Sequence, residues 1–303
     1  MEIAGTMIDD TFAEAFRMRY VRLIVTAHDD YWLHAALAEF TGYGTSIIAC
    51  DCEAGIERHL TVDETPDGRP GAAVLAFGFA ADPLAKAVAN RAGQCLMTCP
   101  TTAVYDGLTT GEAQVPLGQH LRFFGDGHQK SKQVAGQRYW RVPVMDGEFL
   151  VVDKLWVEKG VGGGNLIIEA AEMTAALAAA RRGVSAMTEQ PGVITPFPGG
   201  VARSGSKVGS RYKALRASTA DAYCPTLRGR VRSQLDPTAN VAYEIVIDGV
   251  DERAVATAMA AGVRAAAGPG ISTITAGNYG GKLGKFHFRL HEVLQADPST
   301  VGD

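Results

Sequence analysis

The amino-acid sequence predicts an α+β fold in two similar halves, on three observations. A strand, helix, strand plan occurs four times along the chain. Each second strand runs into a similar loop, ACDCEAG, TCPTTAV, PFPGGVARSGSKVG or TAGNYGGKLG. The stretch between the second and third copies, with QHLRFFGDG and QRYWRVPV, alternates like a β excursion instead of a linker. Two such units side by side in one antiparallel sheet, with helices on one face, make a ferredoxin-like plan; four make two pseudo-symmetric lobes.

In the first copy, residues 20–25 (YVRLIV) read as a strand, Asp29 or Asp30 as the cap of a helix with the stripe Leu33, Ala36, Leu37 and Phe40, and TSIIAC from Thr45 as the second strand. The second has AAVLAFGF from Ala72, Asp82-Pro83 as cap and first helical residue, a helix to Ala92, and a strand QCLMTC ending at Cys99. The third has the strand NLIIEA, a helix over 172–187 with Met173, Leu177, Val184 and Met187 inward, and a strand GVITPF from Gly192. The fourth has YEIVIDG, the cap Asp251, a helix with Val255, Met259 and Val263 inward, and GISTIT from Gly270.

The chain of 303 residues is 47% apolar and 20% charged, enough for one large or two medium domains with a sizeable core. Lys plus Arg is 29 and Asp plus Glu is 33, so the net charge of −4 argues against a nucleic-acid or anionic-membrane footprint. The start, MEIAGTMIDDTFAEAF, is acidic where a signal peptide is basic, and no apolar run is long enough to span a membrane, which predicts a cytosolic protein. The five cysteines suit reduced buried thiols better than a disulfide frame. Cys50-x-Cys52 and Cys95-x3-Cys99 lack a partner pair at zinc spacing, and His287 and His291 lie too far apart on a strand to share an ion; no metal is predicted.

The glycine-rich turns are the first place to look for chemistry, because they gather backbone amides at strand ends. Gly200 to Lys207 and Gly277 to Lys282 each narrowly miss a phosphate loop, and Gly160 to Gly164 misses the dinucleotide pattern, so ATP and NAD are rejected as cofactors. Lys207 and Lys282 read as anion contacts or as solvated loop charges. In YEIVID, Glu244 shares a strand face with Val246 and Asp248, opposite Tyr243, Ile245 and Ile247. Among β-branched apolar neighbours its carboxyl would be desolvated and its pKa raised toward a proton-donor role. The pattern alone favours a solvated side chain on an edge strand.

The blocks DTFAEAF, TGYGTSIIACDCEAGIE, ETPDGRPG, TCPTTAVYDGL, FFGDGHQK, GVITPFPGGVARSGSKVGS, ALRASTA, YEIVIDGVDE and TAGNYGGKLGKFHFRLHE, in this order over nearly the whole chain, closely resemble formylmethanofuran:tetrahydromethanopterin formyltransferases. The stretch after Glu292 is unmatched. The resemblance implies a cytosolic acyltransferase of one-carbon metabolism, moving a formyl group between the amine of methanofuran, or its bacterial analogue methylofuran, and N5 of tetrahydromethanopterin. It implies an N-terminal (proximal) lobe at 1–148, a C-terminal (distal) lobe at 149–303, a homodimer or homotetramer, and no bound metal or prosthetic group, the two coenzymes being co-substrates. By position it implies Glu244 as the buried acid beside the formyl oxygen, and Pro196, Phe197, Pro198, Gly199, Ser204, Lys207, Asn278 and Lys282 as coenzyme contacts.

The mild net charge and the alanine- and arginine-rich helices differ from the strongly acidic archaeal members and resemble a mesophilic bacterial one, for which formaldehyde oxidation is the implied direction and subunits of a formyltransferase/hydrolase complex are implied partners. The alternative is a non-catalytic, coenzyme-holding subunit of such a complex. A folate-linked formyltransferase is disfavoured because the blocks match the methanopterin family.

Overall fold

The computed structural model describes residues Met1–Ala296 and divides into two compact units. One holds Met18–Gly160; the other combines Met1–Arg17 with the chain from Val161 on. This differs from a single cut after residue 148. The first residues go with the C-terminal half because Phe286–Arg289 pairs antiparallel with residues 12–15, and Thr6–Ile8 pairs parallel with Ile271–Thr275. Residues 297–303, the end of the stretch that the family resemblance leaves unmatched, lie outside the described residues.

In the unit Met18–Gly160 the sheet order is Glu53–Leu60, Gly71–Gly78, the end of Phe12–Thr26, then Ala103–Asp106, all antiparallel. Gly147–Val152 extends it by pairing parallel with Ala103–Asp106, and Gln137–Val144 and Lys130–Val134 continue it as a meander. The helix Asp30–Thr41 starts where Asp29 Oδ1 accepts the Trp32 N–H at 3.2 Å, and it buries Leu33, Ala36, Leu37 and Phe40, as their spacing requires.

Three expected strands are not formed here. TSIIAC is a turn, because the Ser46 carbonyl and the Glu53 carboxylate take up the amides of Ala49, Cys50 and Ile47 locally. The strand begins later, at Glu53. QCLMTC prolongs the helix Ala81–Arg91 as a π turn over Ala92–Leu96 that buries Leu96. A short apolar run fits a buried helix end as well as a strand. QHLRFFGDG forms the helical turns Gly118–Leu121 and Arg122–Gly125.

The other unit repeats the order: Val193–Ile194, Val241–Gly249, the second part of Lys154–Ala170, then Ile271–Thr275, again antiparallel. Its core lies between the sheet face carrying Leu166, Ile168, Ile245, Ile247 and Ile274 and the helices Met173–Thr188 and Glu252–Ala266. Met173 and Leu177, expected inward, are 59% and 46% exposed, while Ala176, Ala179, Ala180 and Gly183 face in. The helices approach so closely at Gly183 that a Cβ there would lie 3.2 Å from Ile245 Cδ1 and 3.4 Å from both Ala266 Cβ and the Gly262 carbonyl, so that face of the helix takes small residues. The helix Glu252–Ala266 buries Val255, Met259 and Val263 as expected. Among the described residues no helix is long and apolar enough to cross a membrane.

Candidate active site

The site grows from one row of four residues in the second unit. Glu244 faces Ile167 across one strand boundary and Ala202 across the other, and Ile167 faces Thr275 beyond. Residues directly opposite each other point to the same face, so Ala202, Glu244, Ile167 and Thr275 form a strip on the side away from the helices. Ala202 and Glu244 exchange backbone hydrogen bonds at 2.8 and 3.1 Å, which ties the loop after Pro198–Gly200 to the strand Val241–Gly249. Loops over 203–224, 276–279 and 9–11 then roof the strip and leave a cavity of about 650 Å³.

The side of the sheet under this roof is not the apolar face expected around Glu244. It carries Asn165, Glu169, Asp248, Thr273 and Thr275, all buried. The apolar residues alternate to the helix side. Glu244 is half-buried by area, and what remains open faces the cavity, so burial pushes its carboxyl up to about 7. Gly205, at φ +54°, brings backbone over it: a Cβ there would lie 3.8 Å from Glu244 Oε2 and 2.8 Å from the Ala220 methyl. No cation pairs with the Glu244 carboxyl among the described residues. Near neutral pH a share of it is therefore protonated and can donate a hydrogen bond to whatever enters the cavity.

The loop TAGNYGGKLG does hold an anion, but a residue of the chain itself. The Glu14 carboxylate, 1% exposed, accepts the amides of Tyr279 (2.7 Å), Gly281 (2.9 Å), Leu283 (2.6 Å) and Gly284. Burial alone would raise its pKa, and these four N–H groups outweigh that and hold it below the usual carboxylate range. The near-match to a phosphate loop thus reflects a turn wrapped around an internal carboxylate.

Of the residues singled out in the sequence, Glu244, Ser204, Lys207 and Asn278 line the cavity. Lys207 pairs with Asp221. The Asn278 side chain braces its own loop, donating to Thr11 Oγ1 at 3.3 Å and to the Phe12 carbonyl at 3.1 Å, and accepting the Gly280 N–H. Pro196, Phe197, Pro198 and Gly199 lie outside the lining. Their turn packs against the helix Met173–Thr188, where a Cβ on Gly200 would meet Val184 at 2.5 Å. Lys282 is exposed and also outside the lining.

The tertiary structure adds Asn165, Tyr223 and Tyr279 to the lining. Asn165 clamps the base of the glycine loop, its Oδ1 accepting the Gly277 N–H at 2.6 Å and its Nδ2 donating to the Gly277 carbonyl at 3.1 Å. Burial, then the Glu169 carboxylate, push the Tyr223 phenol up to about 12. Glu169 itself is 1% exposed, accepts the Asp236 N–H at 2.7 Å, and is pushed up to about 7 by burial. It stands in the apolar strand NLIIEA as Glu244 does in YEIVID, so the same pattern marks both. Among the described residues no three His, Cys, Asp or Glu side chains gather as a metal site.

Sequence models place this geometry among known proteins. Residues 1–144 match the formylmethanofuran-tetrahydromethanopterin formyltransferase family, and residues 147–293 match the model described as the proximal lobe of that family. The name proximal thus falls to the C-terminal part, which corrects the expectation that it belongs to the N-terminal one. The chain is 55% identical over 298 residues to the formylmethanofuran–tetrahydromethanopterin formyltransferase of Methylococcus capsulatus, covering 97% of this chain and 100% of the relative. The crystal structure of the formyltransferase/hydrolase complex from Methylorubrum extorquens with methylofuran contains a chain 45% identical, with TM-score 0.94 and coverage of 97% and 98%. The formyltransferase from Methanosarcina barkeri is 44% identical, with TM-score 0.91 and coverage of 97% and 100%.

Proposed function

The chain belongs to the formylmethanofuran-tetrahydromethanopterin formyltransferase family, and from that premise we propose that its cavity transfers a formyl group between the amine of a furan coenzyme and N5 of tetrahydromethanopterin, with Glu244 as the acid at the reacting carbonyl. The observation that carries the role of Glu244 is a carboxyl raised to about 7 by burial, with no cation paired to it among the described residues, on the floor of the cavity.

Transfer between two nitrogens needs the carbonyl carbon and N5 held about 3 to 3.5 Å apart, and donors aimed at the developing oxyanion. The N5 lone pair forms the new C–N bond as the carbonyl π pair moves onto oxygen, toward the Glu244 O–H. The pair then returns, the old C–N bond breaks, its electrons take a proton onto the departing amine, and N5 gives up its own. No covalent enzyme intermediate is involved, and both coenzymes enter and leave as substrates.

The reading extends to a cytoplasmic enzyme of one-carbon metabolism in the formaldehyde-oxidising direction, acting as a homodimer or homotetramer or with partner subunits. A relative crystallised within a formyltransferase/hydrolase complex supports the partner subunits. The test is a steady-state assay of the full chain with formyl-tetrahydromethanopterin and methylofuran. Formyl exchange that falls on replacement of Glu244 is the expected result. Absence of exchange in the wild-type chain would leave only a coenzyme-holding subunit.

A further inference from the structure

Resting on that reading of the cavity, we infer that the Tyr279 hydroxyl is a second hydrogen-bond donor to the reacting formyl oxygen, held beside Glu244 by the carboxylate of Glu14. Three observations converge on it. Tyr279 lines the same cavity as Glu244. Its backbone is fixed at the start of the loop wound on Glu14, and its ring packs against Phe16 with centroids 6.3 Å apart. Its phenol is raised first by burial and then, among charged neighbours, most by the Glu244 carboxylate, which places the two groups in each other's field.

The hydrogen-bond inventory fits donation. The Ser206 hydroxyl, on an exposed loop, hydrogen-bonds the Tyr279 hydroxyl; with Ser206 as donor in that pair, the phenol hydrogen is left for a partner in the cavity. The other two tyrosines of the lining are less suited: Tyr243 alternates to the helix side of its strand and packs against the core. Tyr223 answers chiefly to Glu169, and Glu244 is the last of the charges acting on it. A single carboxyl offers one donor, and an alkoxide forming at a carbonyl oxygen accepts at least two, as oxyanion sites in acyl transfer do. In the transfer step both O–H bonds remain intact. Glu244 and Tyr279 donate while the carbonyl pair resides on oxygen, and release it as the old C–N bond breaks.

The expected results separate this inference from the reading it rests on. If the wild-type chain gives no exchange, the functional reading fails. If it exchanges, Tyr279→Phe decides the inference, because it keeps the ring against Phe16 and removes only the hydroxyl. The prediction is a fall in kcat of tenfold or more, with KM for either coenzyme within about twofold. A smaller fall in kcat, or a loss confined to KM, overturns it. Losses from Glu244→Gln and Tyr279→Phe combine less than additively if both groups serve one oxygen, and full additivity counts against the shared role. Glu14 acts through Tyr279 as a positioning residue. Glu14→Gln therefore lowers kcat in the wild-type background and has little further effect on Tyr279→Phe; an equal loss in both backgrounds overturns its positioning role.

Discussion

The two units put different residues at the same point of the same sheet. In the second unit the row reads Ala202, Glu244, Ile167, Thr275; in the first the matching row reads Arg58, Ala73, Ile24, Tyr105. Ala73 stands where Glu244 stands. The first unit nevertheless has a carboxyl on this face, supplied by the short connection 61–70 between strands. Asp67 accepts from Thr26 Oγ1 at 2.9 Å, Arg69 Nε at 2.9 Å and the Tyr105 hydroxyl at 2.8 Å. Burial pushes Asp67 up, but Arg69 and the two hydroxyls outweigh it and keep the carboxyl ionised. In the second unit the corresponding connection, 195–240, covers Glu244 and brings it no cation. One carboxyl has become a structural anion and the other, raised to about 7, faces a cavity without a cation; the difference is a guanidinium and the length of a loop.

The comparison is broken most sharply at Glu244. Glu244→Ala lowers kcat roughly a hundred- to thousandfold, about 2.7–4 kcal/mol of transition-state stabilisation, the usual effect of removing one oxyanion donor. Glu244→Gln keeps a donor and loses less. Equal losses in steady-state assays would contradict the donor role.

With the Glu244 carboxyl raised to about 7 in the unliganded chain, the proposed donor role predicts that kcat/KM falls by about tenfold per pH unit above that value and that Glu244→Gln removes this alkaline limb. The same shift bears on stability. A carboxyl whose folded pKa lies above its unfolded value of 4.5 binds its proton more tightly in the fold, so its contribution is fully present below 4.5 and is lost as pH rises through about 7. Denaturant unfolding of Glu244→Gln shows less loss of stability over that range than the wild-type chain. Some loss persists because Glu169 titrates there too.

In the first unit Arg69→Met converts the structural carboxyl toward the other kind. It removes the cation from the Asp67 carboxylate, which is partly open to solvent, and destabilises by up to about 1 kcal/mol in denaturant unfolding. In the wild-type chain the depressed Asp67 adds stability above its unfolded value of 3.8, and that stability is lost as pH falls below it. The variant flattens this acid limb. A variant with unchanged stability and acid limb would show that the hydroxyls suffice.

An effect of similar size distinguishes the second helices of the two units. Glu252–Ala266 is capped by Asp251 Oδ1 accepting the Ala254 N–H at 2.7 Å, whereas Ala81–Arg91 starts at Ala80 with no side-chain cap. Asp251→Ala costs about 1 kcal/mol, and Ala80→Ser or Ala80→Asp recovers a similar amount if its new side chain reaches the free amides. Both are read from thermal midpoints.

The long periodic strands and helices were legible in the residues. NLIIEA, YEIVIDG and AAVLAFGF are strands, Leu33 to Phe40 is a buried stripe, and Asp251 is a cap, because alternation, 3.6-residue spacing and a capping side chain are local properties of the chain. TSIIAC and QCLMTC misled because four or five apolar residues suit a strand, a turn or a helix end, and the choice rested on Glu53 and on the continuing helix. Met173 and Leu177 misled because the approach of two helices, not hydrophobicity, chose which face was small.

The sequence by itself determined the α+β class, the repeated order of elements and, through its family blocks, the kind of reaction, since each is written in periodicity or in contiguous residues. Only the tertiary structure decided which side of the sheet was polar, which glycine turn wrapped an internal carboxylate, and which of two carboxyls, Asp67 or Glu244, was left without a cation. Those outcomes depend on desolvation and hydrogen bonding by groups far away in the chain, such as Glu14 under residues 279–284 and the loop 203–224 over Glu244, and no local pattern encodes them.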